Sequence, residues 1–197
     1  NGYLDLVICN SQPHGEQPPS YLYKDPLGAA NRVELRSDGA WSGTVADLNG
    51  DGYDDIVIGM LSNGERTDLN AFVYYGSSEG FSEQRHQLLP APSCVSIDSG
   101  DLDGDGRTDL AMVCKVSGAT PNGWVRIFYQ TELGLEQKHF VDLDIPANQI
   151  AVDDIDGDGY ADLVVRSAEG EVTIYWGGPH GIDPAAGAPV VVAMDSP

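Results

Sequence analysis

Apolar and polar positions alternate in short runs along the whole chain, and no stretch carries the 3.6-residue period of an amphipathic helix. Short apolar runs stand at Ile56–Met60, Leu110–Val113 and Leu163–Val165. Each is a strand apolar on both faces, as expected where a strand is clamped between two layers. Aromatic strands come next, at 21–24, 72–75, 126–129 and 173–176, each followed by a turn bearing Gly or Pro. Second strands of these hairpins are expected at Arg32–Leu35, Gln84–Leu89, Lys138–Leu143 and Pro189–Ala193, and Gly43–Ala46 ends a strand of the second unit. The pattern predicts an all-β chain.

A nine-residue segment precedes each of these three runs. These are Asp47-Leu-Asn-Gly-Asp-Gly-Tyr-Asp-Asp55, Asp101-Leu-Asp-Gly-Asp-Gly-Arg-Thr-Asp109 and Asp154-Ile-Asp-Gly-Asp-Gly-Tyr-Ala-Asp162. The start, Asn1-Gly-Tyr-Leu-Asp-Leu-Val7, overlays the second half of the same motif. A four-stranded unit recurring about every 50 residues is a β-propeller blade by size and strand count. The repeats are drawn at 1–37, 38–90, 91–143 and 144–197, as one propeller region over 1–197. The expected architecture is antiparallel four-stranded blades in a partial propeller, three of them full and one lacking its first strand. Because the chain opens inside a motif, it is expected to be a piece of a longer propeller. The alternative is that a neighbouring chain supplies the strand at the open edge.

Oxygen chemistry explains the loops. Asp at positions 1, 3, 5 and 9 places several carboxylates around one point, and Gly at positions 4 and 6 allows the sharp turn. The seventh residue can add its carbonyl, which frees its side chain to vary. An all-oxygen site of about six or seven ligands suits Ca²⁺. Mg²⁺ prefers fewer protein ligands, and Zn²⁺ is disfavoured because the loops hold no Cys or His. A bare Asp-Gly turn needs no such crowd of like charges. An EF-hand would need an acid at position 12, where Ile58, Met112 and Val165 stand.

On these loops and repeats the chain resembles the FG-GAP/VCBS repeat family, the calcium-loop propeller blades similar to those of integrin α chains. The resemblance implies side-chain ligands at Asp47, Asn49, Asp51 and Asp55, at Asp101, Asp103, Asp105 and Asp109, and at Asp154, Asp156, Asp158 and Asp162, with carbonyls from Tyr53, Arg107 and Tyr160. That makes about three structural Ca²⁺ sites. The first copy keeps only Asn1, Tyr3 and Asp5 and is not expected to hold an ion.

Composition then narrows the function. With 31 acidic against 10 basic residues and a net charge of −21, the chain lacks the basic footprint of a nucleic-acid binder. No apolar run reaches the ~20 residues of a membrane span. Cys94 and Cys114 lie equally far from Gly104, so a disulfide between them and two buried thiols are both compatible with the spacing, and Cys9 has no evident partner. Calcium and a disulfide would both favour a secreted or cell-surface setting. His14, His86, His139 and His180 fall in different repeats with no recurring nucleophile beside them. Trp176 shares a blade-packing slot with Tyr75 and Tyr129, while Trp41 and Trp124 are closer to even between packing and sugar stacking.

The expected function is therefore non-catalytic recognition or adhesion, with a protein or carbohydrate ligand. Two alternatives remain. One is a subunit of a self-assembling extracellular structure, associating through the incomplete first blade. The other is the propeller part of a polysaccharide lyase, although the few scattered Lys and Arg would hold a polyuronate poorly.

Overall fold

The computed structural model describes residues 5–11, 18–24, 32–116 and 122–190. They form strands only, in four antiparallel sheets that do not close into a ring. The first sheet has three strands, β1 (Leu6–Ile8), β2 (Ser20–Tyr23) and β3 (Arg32–Leu35). The second runs β4 (Ala40–Ala46), β5 (Asp55–Met60), β6 (Asn70–Tyr74) and β7 (His86–Pro90). The third runs β8 (Ser96–Gly100), β9 (Asp109–Cys114), β10 (Gly123–Phe128) and β11 (Val141–Ala147). The fourth runs β12 (Gln149–Asp153), β13 (Asp162–Arg166), β14 (Val172–Tyr175) and β15 (Ala188–Pro189). Each sheet is a meander, and together they are a partial β-propeller.

The sheets stack face to face, and the alternation of each strand decides which neighbour a side chain meets. On β5, Ile56 and Ile58 point toward the first sheet and pack with Leu22, Leu35, Phe72 and Tyr74. Val57, between them, points the other way and packs with Leu110, Met112 and Phe128 of the third sheet. The third and fourth sheets repeat the scheme, Ala111, Val113 and Ile127 meeting Leu163 and Val165. A strand covered on both faces has no polar side, which is why β5 and β9 are buried along their whole length.

First strands of successive sheets lie side by side and are tied by side chains. Ile97 N–H donates to Ser42 Oγ at 3.2 Å, Ile150 N–H to Ser96 Oγ at 3.1 Å and Val152 N–H to Asp98 Oδ2 at 2.9 Å. All three acidic loops join a first strand to a second, so they emerge at one end of the stack. At the other end lie the connections 36–39, 61–69, 91–95 and 167–171, with 115–116 and 122 flanking the third sheet's corresponding connection.

Several expectations shift. β4 begins at Ala40, earlier than the Gly43–Ala46 piece, and β11 runs to Ala147, through the repeat boundary drawn at 143/144. The strand expected at Pro189–Ala193 is described only as Ala188–Pro189, since its later residues lie outside the described ones. Asn1, Tyr3 and His14 lie outside them too. The disulfide reading is corrected: Cys9, Cys94 and Cys114 are free thiols. In the β8–β9 ladder Ser96 stands opposite Val113, and Val95 N–H also donates to the Val113 carbonyl at 3.0 Å, so the register shifts just before Ser96. Cys94 and Cys114 lie near each other as free thiols. Both are buried in the same core cluster, and burial pushes both thiols up, Cys114 to about 12.

Candidate metal centre

One local design makes all three loops. The first-position Asp turns back over the loop and accepts backbone N–H groups. Asp47 takes those of Gly50 and Gly52, both at 2.8 Å. Asp101 takes those of Asp105 at 3.0 Å and Gly106 at 2.8 Å, and Asp154 those of Gly157 at 2.8 Å and Gly159 at 3.0 Å. The fifth-position Asp accepts the N–H of the seventh residue at 2.9 Å each time, pairing Asp51 with Tyr53, Asp105 with Arg107 and Asp158 with Tyr160. These bonds require the fourth and sixth residues at positive φ, and Gly104 (73°) and Gly106 (82°) show why only glycine serves there.

The ninth-position Asp ties the loop to its sheet. Asp55 is fully buried, its Oδ2 accepting Leu48 N–H and its Oδ1 accepting Gly76 N–H, both at 2.9 Å. Asp109 does the same for Leu102 at 3.0 Å and Gln130 at 2.9 Å, and Asp162 for Ile155 and Gly177, both at 2.9 Å.

This folding brings carboxylates together. Oxygens of Asp101, Asp103 and Asp109 lie within 4.8 Å of one another, and so do those of Asp154, Asp156 and Asp162. The fifth-position Asp105 and Asp158 stand outside these trios, and Arg107 pairs with Asp105. In the first loop Asn49 takes the third position, where its Oδ1 accepts Asp51 N–H at 3.0 Å and its amide donates to Asp51 Oδ2 at 3.0 Å.

Electrostatics follow from this crowding. Burial, with Asp51 and Asp47 adding like charge, pushes Asp55 up to about 6. Burial, with Asp103 and Asp105, pushes Asp109 up to about 7. Asp103 is raised by burial and by Asp105. Asp47 moves the other way: burial raises it, but backbone N–H groups from Gly52, Asn49, Gly50 and Asp51 together outweigh that. A donor set of carboxylate, amide and backbone oxygens with no nitrogen or sulfur ligand fits a hard divalent cation.

The FG-GAP-like repeat pattern matches residues 47–112, spanning two of the loops, and the FG-GAP repeat pattern matches 147–175, around the third. The chain belongs to the FG-GAP repeat family. Integrin α chains are among its relatives. It is 31% identical over 156 residues to integrin alpha-PS5 of Drosophila melanogaster, covering 68% of this chain and 15% of that one. It is 32% identical over 151 residues to human integrin alpha-7, covering 68% and 12%. It is 27% identical over 177 residues to mouse integrin alpha-IIb, covering 78% and 17%. This FG-GAP chain thus spans only 12–17% of those integrins.

Two features of the FG-GAP scaffold escaped the sequence reading. Arg126, almost fully buried, forks onto Asp142 at 2.6 and 2.7 Å, donates to the Pro90 carbonyl at 2.8 Å and stacks 3.8 Å over Phe140. It fastens the third sheet to the second. Gln130, also buried, accepts Thr108 N–H at 3.0 Å, in the slot where the other repeats place Gly76 and Gly177. Among the tryptophans, Trp176 occupies the slot of Tyr75 and Tyr129 but is 39% exposed, and Trp41 is 56% exposed on β4. His139 and His180 are exposed.

Proposed function

We propose that this FG-GAP region is a calcium-stabilised, non-catalytic recognition module of a secreted or cell-surface protein. The observation that carries it is the division of labour between the two ends of the stack. One end holds three near-identical loops whose carboxylates are clamped by backbone N–H groups. The connections at the other end share no motif, as suits a surface adapted to a protein or carbohydrate ligand. That end holds a recess of about 200 Å³ whose lining includes Arg36, Arg66, Phe72 and His86.

Side-chain oxygens of Asp47, Asn49, Asp51 and Asp55, of Asp101, Asp103, Asp105 and Asp109, and of Asp154, Asp156, Asp158 and Asp162 would hold one ion per loop, with the carbonyls of Tyr53, Arg107 and Tyr160. A bound Ca²⁺ supplies charge neutralisation and a cross-link between the strands that the loop joins. Asp55, Asp109 and Asp162 then transmit that order to the sheets through their bonds to Gly76, Gln130 and Gly177. The chemistry that we assign to these loops, carboxylate, amide and backbone oxygens around one point, is cation binding.

Thermal melting tests the calcium reading. Saturating Ca²⁺ should stabilise by roughly 1–2 kcal/mol per occupied loop, and exhaustive chelation should lower Tm by several degrees. An unchanged melt after chelation removes the reading. Eliminative cleavage of a pectin-type polymer by the purified chain would overturn its non-catalytic half.

A further inference from the structure

Neighbouring loops are not joined alike. Tyr160, seventh in the third loop, lays its ring over Gly104, fourth in the second, so closely that a Cβ on Gly104 would collide with it. Beside that contact Ala161 N–H donates to the carbonyl of Asp101, the first residue of the second loop, at 2.8 Å. Gly178 N–H donates to the next carbonyl, Leu102, at 3.4 Å. The third loop and its sheet therefore grip the second loop at side chain and backbone.

The third sheet meets the first loop differently, with Gly134 lying beside Leu48 and Asn49. Gly50, the counterpart of Gly104, has nothing within 4 Å of where a Cβ would stand. The counterpart of Tyr160 is Arg107, whose guanidinium turns to the Gln130 carbonyl at 3.0 Å and to Asp105 of its own loop. Thr108, the counterpart of Ala161, gives its N–H to Gln130 Oε1, not to the Asp47 carbonyl.

We propose that the second and third loops bind their cations as a coupled pair, joined through Tyr160 and Ala161, while the first loop binds independently. This rests on the calcium reading above and goes beyond it by making the variable seventh residue a positioning residue for the adjacent loop. Tyr160 belongs to one loop by its backbone and to the other by its ring. Ordering residues 154–162 therefore fixes the ring on Gly104 and the amide on the Asp101 peptide, and part of the second loop's ordering entropy has then already been lost. Coupling between two sites is reciprocal and of the order of 5-fold or more in affinity.

The amides of Gly52, Gly106 and Gly159 make the same bond in each loop, to Oδ2 of Asp47, Asp101 and Asp154. Their resonances in an ¹⁵N-resolved Ca²⁺ titration of the whole chain report the three loops separately. Asp156→Asn, which weakens the third loop, should move the Gly106 midpoint to about 5-fold or more higher Ca²⁺ and leave Gly52 in place. In a Tyr160→Ala background the same substitution should move Gly106 less, because only the Ala161 backbone link to Asp101 remains. Asp51→Asn in the first loop should leave Gly106 and Gly159 where they were. A Gly106 midpoint indifferent to Asp156→Asn, or one that moves equally with Tyr160 absent, overturns the coupling while the calcium reading stands. If none of the three glycines responds to Ca²⁺, the calcium reading itself falls and takes the coupling with it.

Discussion

Asp55 performs two tasks that the loop pattern writes as one letter. Its carboxylate belongs to the acidic loop, and it also accepts two buried N–H groups, from Leu48 and Gly76. Asp51 is exposed and serves only inside the loop. Asp55→Ala should therefore cost about 2–4 kcal/mol even in chelator, because two buried donors lose their acceptor. Asp51→Ala should cost stability only when Ca²⁺ is present. Urea unfolding of both variants, with Ca²⁺ and with chelator, separates the two; equal losses in chelator would refute the distinction. Arg126→Ala should cost a similar ~3 kcal/mol, since Asp142 and the Pro90 carbonyl lose a nearly buried partner, and Arg126→Lys should recover little because it cannot fork. The loop carboxylates were legible in the sequence because their spacing is itself the motif. Arg126 was not, because its partners Asp142 and Pro90 come from neighbouring strands whose register only the fold reveals.

At the scale of elements, position along the stack matters more than residue type. Ile127 and Ile174 occupy the same place on the third strands of successive sheets, opposite Ala111 and Val164 respectively. Ile127 is fully buried beneath the fourth sheet, while Ile174 is only half-buried. The loop residues repeat the contrast: Leu102 is fully buried, and its counterpart Ile155 is 48% exposed. Ile127→Ala should cost about 2–5 kcal/mol and Ile174→Ala about 1 kcal/mol or less, by chemical unfolding. Equal costs would mean that the outer face of the fourth sheet is covered in solution. Strand existence was readable from alternation and turn residues, and the doubly apolar second strands announced the stacking of sheets. Boundaries were less readable. β11 alternates Asp with Val, Leu and Ile up to Ala147, so nothing in its composition marks residue 143 as an end.

Over the whole molecule the dominant quantity is the charge of −21, and its effect on stability has a definite sign. Asp55 and Asp109 stand at about 6 and about 7 in the ion-free fold, against roughly 3.9 for an unfolded Asp. The folded chain therefore holds these protons more tightly than the unfolded one. Their contribution is most favourable below the unfolded value and is lost as pH rises through the folded values. The ion-free protein should then melt lower at pH 8 than at pH 5, a slope reinforced by general repulsion among the carboxylates. Ca²⁺ reverses the trend, because it binds the ionised forms: its stabilising shift should be small at pH 5 and should grow up to pH 8 as Asp55 and Asp109 lose their protons. Three divalent ions would bring the formal charge to about −15, which relieves the repulsion without cancelling it. Asp109→Asn cannot ionise, and although its single Oδ1 can accept only one of the Gln130 and Leu102 amides, which lowers stability at every pH, it should flatten part of the ion-free slope between pH 5 and 8. Melting curves in chelator and in Ca²⁺ at the two pH values decide the matter. An ion-free Tm that rises with pH would show that the buried carboxylates are not held protonated by the fold.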